Sequence, residues 1–145
     1  MADQASSNIV INASSDKVLD VIADIESYPE WTGQIKSAKV LEAGADGKPK
    51  QAKFVMDAGV LKDEYTLEYD WNDAGVSWHL VGKSTVQKSQ VGSYALRDKD
   101  GATEVTYKLA VDIAMPMLGM FKRKAEKMIM DSALKDLKKR VESGS

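Results

Sequence analysis

Strict alternation of apolar and polar residues dominates the middle of the chain. Tyr65, Leu67, Tyr69 and Trp71 alternate with polar residues, and the stretch 105–113 repeats the pattern. A period of two with one polar face is typical of antiparallel strands that have one side in water. With the Gly- and Asp-rich turns between them, such stretches predict seven strands. These strands are expected at 8–12, 35–42, 50–59, 62–72, 75–82, 85–97 and 103–114.

Helical periodicity replaces alternation in two places. Apolar residues between 18 and 25 recur at i, i+3, i+4 and i+7, which predicts a short amphipathic helix. Ser14 or Ser15 is suited to cap this helix and Pro29 to end it. A long helix is predicted over 115–141, with an apolar stripe that shifts round midway. We therefore expect its first half to face the sheet and its second half to pack at a sheet edge or against the first helix.

The order of elements predicts an α+β fold in two layers. One strand and a helix precede six antiparallel strands, and a long helix closes the chain. A sheet of this size twists, so it is expected to curl around the long helix and to leave a gap that a ligand can enter. At 145 residues, without repeats or linkers, residues 1–145 are expected to form a single domain.

Composition narrows the class of protein further. The chain is 43% hydrophobic and 29% charged, has no cysteine, and contains no apolar run near the ~20 residues of a membrane span. Its first residues lack the basic and apolar regions of a secretory signal. These absences lead us to expect a cytoplasmic protein without a metal or a cofactor.

The net charge of −2 conceals an uneven distribution. Residues 122–140 carry eight Lys or Arg against three acidic residues, a net of +5, whereas residues 1–121 carry −6. One interpretation is a solvated helix face that complements the helix dipole. The alternative is peripheral contact with an anionic membrane. Nucleic acid is not expected as a partner, because the acidic body opposes its approach.

The sequence shows no convincing catalytic set. The only histidine, His79, alternates with the inward Trp78 and Leu80 and is therefore predicted to face water. Glu68 and Asp70 share one strand face, but the same parity points both outward as ordinary surface charges. No nucleophile elbow, zinc-helix, phosphate-loop or dinucleotide motif is present.

The strand predicted at 85–97 leaves its register open. Tyr94 and Leu96 set an inward parity that extends backward to Gly92, Gln90 and Lys88. A packed core disfavours Lys and Gln unless each finds a partner. Either a bulge changes the register, or these groups line a wet cavity mouth.

Tyrosines gather on the covered face of the predicted sheet. Tyr65, Tyr69 and Tyr107 point inward, and Tyr94 joins them if the parity of its strand holds. A buried phenol needs a hydrogen-bond partner. Two interpretations follow: the tyrosines line a cavity that holds water or a polar ligand group, or each hydroxyl bonds to backbone at the sheet rim.

Several short motifs follow one another in an order that is similar to a known family. They are Asp24-x-x-x-Tyr28-Pro29-x-Trp31, Leu61-Lys-Asp-Glu-Tyr65-Thr-Leu, Val76-Ser-Trp78, Gly92-Ser-Tyr94, Val105-Thr-Tyr107 and the Met115-Pro116 helix opening. In this order and spacing the chain resembles the polyketide cyclase/dehydrase-like branch of the START (SRPBCC) superfamily. The resemblance implies the helix-grip fold, in which a seven-stranded curved antiparallel sheet wraps around a long C-terminal helix, with short helices between strands 1 and 2.

The resemblance also implies a function, since members of the superfamily hold lipids, sterols, polyketides or quinone-like molecules between sheet and helix. We expect this chain to bind, sequester or transfer such a hydrophobic small molecule, as a monomer or weak dimer. The residues expected at the ligand are Phe54, Met56, Tyr65, Leu67, Tyr69, Trp78, Gln90, Tyr94, Tyr107, Phe121, Met128 and Ile129.

The alternative function is a polyketide aromatase/cyclase or dehydrase, with Tyr65 and Tyr107 as proton donors. Aromatase/cyclase members of the family also use a pocket arginine. Here Arg97 has outward parity, and Arg123 and Arg140 lie on the solvated helix. The lack of an inward arginine favours binding over catalysis.

Overall fold

The computed structural model describes residues 5–57, 62–84, 86–113 and 119–143, with the backbone alone at 113, 119–122 and 125. Its helices are α1 (Ser15–Ala23), α2 (Tyr28–Trp31) and α3 (Gly119–Glu142), with a 3₁₀ turn at Ile25–Ser27. Its strands are β1 (Ala5–Ile11), β2 (Ile35–Ala43), β3 (Pro49–Asp57), β4 (Lys62–Asn72), β5 (Gly75–Val81), β6 (Gln87–Lys99) and β7 (Ala102–Ile113).

The seven strands of the described residues form one curved antiparallel sheet. Its order is β1-β7-β6-β5-β4-β3-β2, so β2 to β7 form a meander and β1 joins beside β7. The registers place Tyr69 opposite Trp78, Trp78 opposite Gly92, and Tyr94 opposite Tyr107. Aromatic side chains from four successive strands consequently meet on the same covered face.

The predicted α+β helix-grip fold is confirmed, and each predicted strand has a counterpart with ends that agree within three residues. The predictions at 58–59, 85 and 114–118, including the Met115-Pro116 helix opening, lie outside the described residues. Within them, no helix is both long and apolar enough to cross a membrane.

One prediction near the first helix is wrong. Ser14 caps α1 by accepting from the Lys17 amide at 3.3 Å, but the helix ends at Ala23 and not at Pro29. Pro29 instead lies in the first turn of α2. A proline is tolerated there because the first amides of a helix have no partner within the helix.

The second half of α3 forms the core together with α1 and β1. Four of its apolar side chains are buried: Met130, Leu134, Leu137 and Val141. Polar contacts hold the helix on β1, because the Lys138 ammonium donates to the Val10 carbonyl at 2.6 Å and Glu142 accepts from the Asn12 amide at 2.8 Å. The C-terminal part of α3 therefore belongs to the core, and the space between sheet and helix lies nearer the middle of α3, at Ile129 and Ala133.

Candidate functional site

A cavity of about 90 Å³ lies between the covered face of the sheet, the helices α1 and α2, and the middle of α3. All five tyrosines of the chain line it. The lining residues are Ile22, Tyr28, Trp31, Thr32, Gln34, Ile35, Phe54, Met56, Tyr65, Leu67, Tyr69, Trp78, Gln90, Tyr94, Tyr107, Ile129 and Ala133. This volume is small beside the ~300–1,000 Å³ typical of pockets for drug-sized ligands. The space suits a small guest of about one ring.

Aromatic rings form two connected clusters around the cavity. Near α2, Trp31, Tyr28, Phe54 and Tyr65 contact one another in that order, with ring centroids 5.1–6.0 Å apart. The second cluster, on β4 to β7, consists of Tyr69, Trp71, Trp78, Tyr94 and Tyr107, with centroids 4.7–5.9 Å apart. These separations are those of favourable aromatic pairs. The rings support each other and give the cavity fixed walls.

The five tyrosine hydroxyls differ in their hydrogen bonds. The Tyr28 hydroxyl donates to the Ile22 carbonyl, and that of Tyr65 lies 3.9 Å from the Met56 sulfur, a weak acceptor. For the hydroxyls of Tyr69, Tyr94 and Tyr107, the described residues supply no hydrogen-bond partner. Of the two interpretations of the tyrosines, the structure favours a lined cavity over bonding at the sheet rim.

Burial raises the pKa of each of the five phenols well above its ordinary value of 10. Neighbouring tyrosines add to the rise in pKa at Tyr65, Tyr69 and Tyr94. The cause is the loss of hydration that a phenolate would suffer in this apolar space. The phenols therefore stay protonated at physiological pH and can donate or accept hydrogen bonds.

The strand β6 contains both features that its sequence allows, a bulge and a polar side chain at the cavity. Gln90 is buried at the cavity, as the parity from Tyr94 requires. Between Gln87 and Ser89 the pairing with β7 shifts by one residue, which marks a bulge at Lys88. As a result Lys88 is exposed, contrary to the parity prediction, and Gln87 is buried in its place.

Gln90 belongs to a buried chain of side-chain hydrogen bonds. The Trp78 Nε1 donates to Gln90 Oε1 at 2.9 Å, Gln90 Nε2 donates to Gln87 Oε1 at 2.6 Å, and Gln87 Nε2 donates to Asp63 Oδ2 at 2.7 Å. Asp63 also accepts from the Ser84 hydroxyl at 2.6 Å. A carboxylate that is only 5% exposed is thus connected to a tryptophan in the cavity wall.

A glycine gives the Trp78 ring its position. Gly92 lies opposite Trp78 in the neighbouring strand, and a Cβ at Gly92 would lie 2.4–2.6 Å from three atoms of the indole ring. Such distances are far inside van der Waals contact, so the ring lies directly on the backbone of β6. Only glycine leaves room for it there.

The structure brings together ten of the twelve residues predicted at the ligand. They are Phe54, Met56, Tyr65, Leu67, Tyr69, Trp78, Gln90, Tyr94, Tyr107 and Ile129. The Phe121 side chain lies outside the described part of the chain. The prediction for Met128 needs correction: its side chain is 42% exposed and absent from the lining, because α3 turns Ile129 and Ala133 toward the cavity instead. Whether the ten residues bind a ligand stays a prediction.

Several residues of this site were not predicted from the sequence. Asp63 was given no role, although the parity of Tyr65 and Leu67 extends backward to it and predicts an inward carboxylate. Gln87 was not predicted, because the alternation of inward and outward residues does not show where a strand contains the extra residue of a bulge. Five cavity residues from α2, the loop that follows it and the start of β2 were also not predicted as binding residues: Tyr28, Trp31, Thr32, Gln34 and Ile35.

His79 and Arg97, two side chains of types that catalysis often uses, lie outside the cavity lining. His79 is 55% exposed, with Nε2 3.6 Å from Glu68, and Arg97 pairs with Glu104 at the surface, as their parities predicted. Among the residues that the structure describes, no group of three or more acidic or histidine side chains is placed to hold a metal ion. The expected absence of a metal and a cofactor stays a prediction.

Comparisons with known proteins agree with the fold described above. The sequence profile of the family described as polyketide cyclase / dehydrase and lipid transport matches residues 11–138. No curated protein matches the sequence significantly.

Solved structures show the same fold at low sequence identity. A START superfamily protein from Mycobacterium smegmatis is 19% identical with a TM-score of 0.90, covering 98% of this chain and 99% of its own. The Zhui aromatase/cyclase from Streptomyces sp. R1128 is 14% identical with a TM-score of 0.77, over 98% and 94% of the two chains. Major latex-like protein 151 from Panax ginseng is 15% identical with a TM-score of 0.74, over 96% and 97%.

Proposed function

Because the chain belongs to the polyketide cyclase / dehydrase and lipid transport family, we propose that it binds a neutral, hydrophobic small molecule in the cavity between sheet and α3. One observation carries the proposal: all five tyrosines line one cavity, and the hydroxyls of Tyr69, Tyr94 and Tyr107 find no partner among the described residues. A ligand that combines an apolar surface with a few oxygen atoms satisfies both the walls and the hydroxyls.

The charge of the lining supports a neutral ligand. Among the described residues, the lining contains no Asp, Glu, Lys, Arg or His. A buried carboxylate or ammonium without an opposite charge loses several kcal/mol of hydration, which an apolar wall does not return. Lipid-, polyketide- or quinone-like molecules are therefore expected to place a neutral ring or chain in the cavity and to keep any charged group outside it.

The second candidate function is a polyketide aromatase/cyclase or dehydrase that uses Tyr65 and Tyr107 as proton donors. The convergence of phenols on one cavity favours it. The raised pKa of both phenols opposes it, because a general acid works best when its pKa lies near the operating pH. If the protein is an enzyme, Tyr65→Phe and Tyr107→Phe should abolish turnover while ligand affinity is nearly retained. Equal losses of both would support binding alone.

Further predictions from the sequence belong to this proposal: one domain over 1–145, a cytoplasmic location, and a monomer or weak dimer. Contact with an anionic membrane is supported by the exposed Arg123, Lys124 and Lys127 beside the exposed Met128 on α3. Liposome flotation tests this contact. Flotation on anionic vesicles that is unchanged by Lys124→Glu with Lys127→Glu would remove it from the proposal.

Native mass spectrometry of the protein purified from its own cells tests the binding function. Wild type should carry an adduct that denaturation releases as an apolar molecule. Ala133→Leu adds three carbons to a half-buried side chain of the cavity wall, so it should remove the adduct. Ala43→Leu makes the same change at an exposed position of β2 and should retain it. A wild type without adduct, or an adduct unaffected by Ala133→Leu, would contradict the proposal.

A further inference from the structure

The chain of hydrogen bonds from Trp78 to Asp63 has a fixed direction. Its first group, the Trp78 indole N–H, can only donate. Its last group, the Asp63 carboxylate, accepts through both oxygens. Each glutamine between them must therefore accept on the Trp78 side and donate on the Asp63 side. Reversal of either amide would bring two donors or two acceptors face to face. The orientation of the Gln90 amide thus follows from the chemistry of the two ends.

The bulge in β6 makes this chain continuous. In a regular strand, residues three apart point to opposite faces, so Gln87 and Gln90 would be separated by the sheet. The extra residue at Lys88 turns both glutamines inward, and their amides meet at 2.6 Å. Bulges often re-aim a side chain in this way beside functional sites.

Asp63 is held as the fixed end of the chain. Its Oδ1 accepts from the backbone amides of Glu64 at 2.8 Å and Val86 at 3.1 Å, and its Oδ2 accepts from the Ser84 hydroxyl as well as from Gln87. Four donors therefore surround the two oxygens and fix the orientation of the carboxylate. Both oxygens are needed as acceptors. An asparagine would place an NH₂ donor where one of these oxygens accepts.

One hydrogen-bonding group of Gln90 remains unused. Its Oε1 accepts from Trp78 and one N–H of Nε2 donates to Gln87, while the second N–H has no acceptor among the described residues. Gln90 lines the cavity. A buried donor without an acceptor is unfavourable, whereas a carbonyl oxygen that already accepts one bond is satisfied.

We propose that Asp63, acting through Gln87, is a positioning residue that fixes the Gln90 amide with one N–H toward the cavity, and that this N–H selects ligands carrying a carbonyl or another neutral acceptor oxygen. The inference depends on the proposed function, since it names the chemical class of ligand for the same cavity. Asp63 itself does not contact the ligand. It determines which ligand group Gln90 accommodates.

Two one-ring probes that differ by a single group test the inference. Acetophenone carries a carbonyl where ethylbenzene carries a methylene, and the dissociation constants of both are measured by calorimetry on the full chain. The decisive quantity is the ratio of the two constants, compared between wild type and variants. One hydrogen bond corresponds to about a threefold to tenfold change in this ratio.

Asp63→Asn should reduce the relative affinity for acetophenone by that factor and leave the affinity for ethylbenzene unchanged. The asparagine oxygen must accept from the two backbone amides, so its NH₂ group faces the Gln87 NH₂ group. Two donors then meet, and the direction of the hydrogen bonds from Trp78 to residue 63 is disturbed. Gln90→Met removes the N–H itself and should produce the same loss. Asp70→Asn, at an exposed position on the same strand, should leave the ratio as in wild type.

The outcomes separate this inference from the proposed function. If Asp63→Asn weakens both probes equally, or if the ratio is the same in all proteins, the inference is overturned while ethylbenzene binding still supports a binding cavity. If wild type binds neither probe, both are overturned. Should Asp63→Asn fail to fold, Gln90→Met and the Gln90 side-chain amide resonance decide. That resonance should shift with acetophenone and not with ethylbenzene, and an equal shift with both overturns the inference.

Discussion

Replacement of Gly92 by alanine tests whether the Trp78 ring is positioned by the backbone of β6. The added Cβ would lie 2.4 Å from the indole Cζ2 and 2.6 Å from Nε1, so the ring must move by about 1 Å to reach ordinary contact. Trp78 is held on its other sides by Gln90 at 2.9 Å and by the rings of Tyr69, Tyr94 and Tyr107. Such a displacement therefore breaks contacts on several sides.

The cost combines two known effects. Overpacking a core costs about 1–3 kcal/mol, and loss of the Trp78–Gln90 hydrogen bond adds about 1 kcal/mol. We expect Gly92→Ala to lower the free energy of unfolding by about 2–4 kcal/mol, measured by urea denaturation followed by circular dichroism.

Gly33→Ala is the matched control, because nothing lies within 4 Å of a Cβ at Gly33. It should be neutral or stabilise by a few tenths of a kcal/mol through its effect on the unfolded chain. In a Trp78→Leu background, where the ring is absent, Gly92→Ala should cost much less than in wild type. The reasoning fails if Gly92→Ala is as stable as Gly33→Ala, or if its cost is unchanged by Trp78→Leu.

Three further predictions concern stability. Trp31→Phe should be neutral or stabilising, because the buried Trp31 Nε1 has no hydrogen-bond partner among the residues that the structure describes. Trp78→Phe removes the donor to Gln90 and should cost about 1–3 kcal/mol in urea denaturation. Equal costs of the two replacements would contradict this. Burial raises the pKa of all five tyrosines, so the native state keeps phenol protons that the unfolded chain loses above pH 10. The free energy of unfolding should accordingly be unaffected by these groups below about pH 10 and should fall as the pH rises beyond it. Tyrosinate absorbance should appear only when the protein unfolds, and tyrosinate absorbance in the folded protein near pH 10 would refute the raised pKa values. Hydrogen bonds from the Asn12 amide and Lys138 lower the pKa of Glu142 below its usual 4.5, so its contribution to stability is present above that pH and lost as pH falls. The stabilities of wild type and Glu142→Gln, followed against pH, should therefore converge in acid, and a constant difference would argue against the assignment.

Sequence reasoning succeeded where one rule controls many side chains. The parity set by Tyr65, Leu67 and Tyr69 holds along the whole of β4, because a one-residue shift would expose the entire apolar face to water. The same constraint places Tyr107 inward on β7 and leaves His79 on the watered face.

The sequence-based predictions were wrong where a single residue interrupts the alternation of inward and outward side chains. The bulge at Lys88 buries Gln87 where the two-residue period predicts Lys88, so the period alone cannot reveal it. On α3 the apolar stripe shifts between the two halves of the helix, so both Met128 and Ile129 were predicted at the cavity, although only Ile129 lines it and Met128 is exposed. The role of Asp63 depends on the loop at Ser84 and Val86, whose contacts are set by the tertiary structure.

The proposal that a hydrophobic ligand occupies the cavity is tested most directly by methyl NMR during titration with ethylbenzene, a probe that makes no hydrogen bonds. The resonances of three cavity side chains, Ile35, Met56 and Ile129, should shift together and saturate at a single dissociation constant. Those of the exposed Val55 and Val91 on the outer face of the sheet should stay in place. Shifts confined to exposed methyls, or no saturable shift in the three cavity residues, would contradict a ligand bound between sheet and helix.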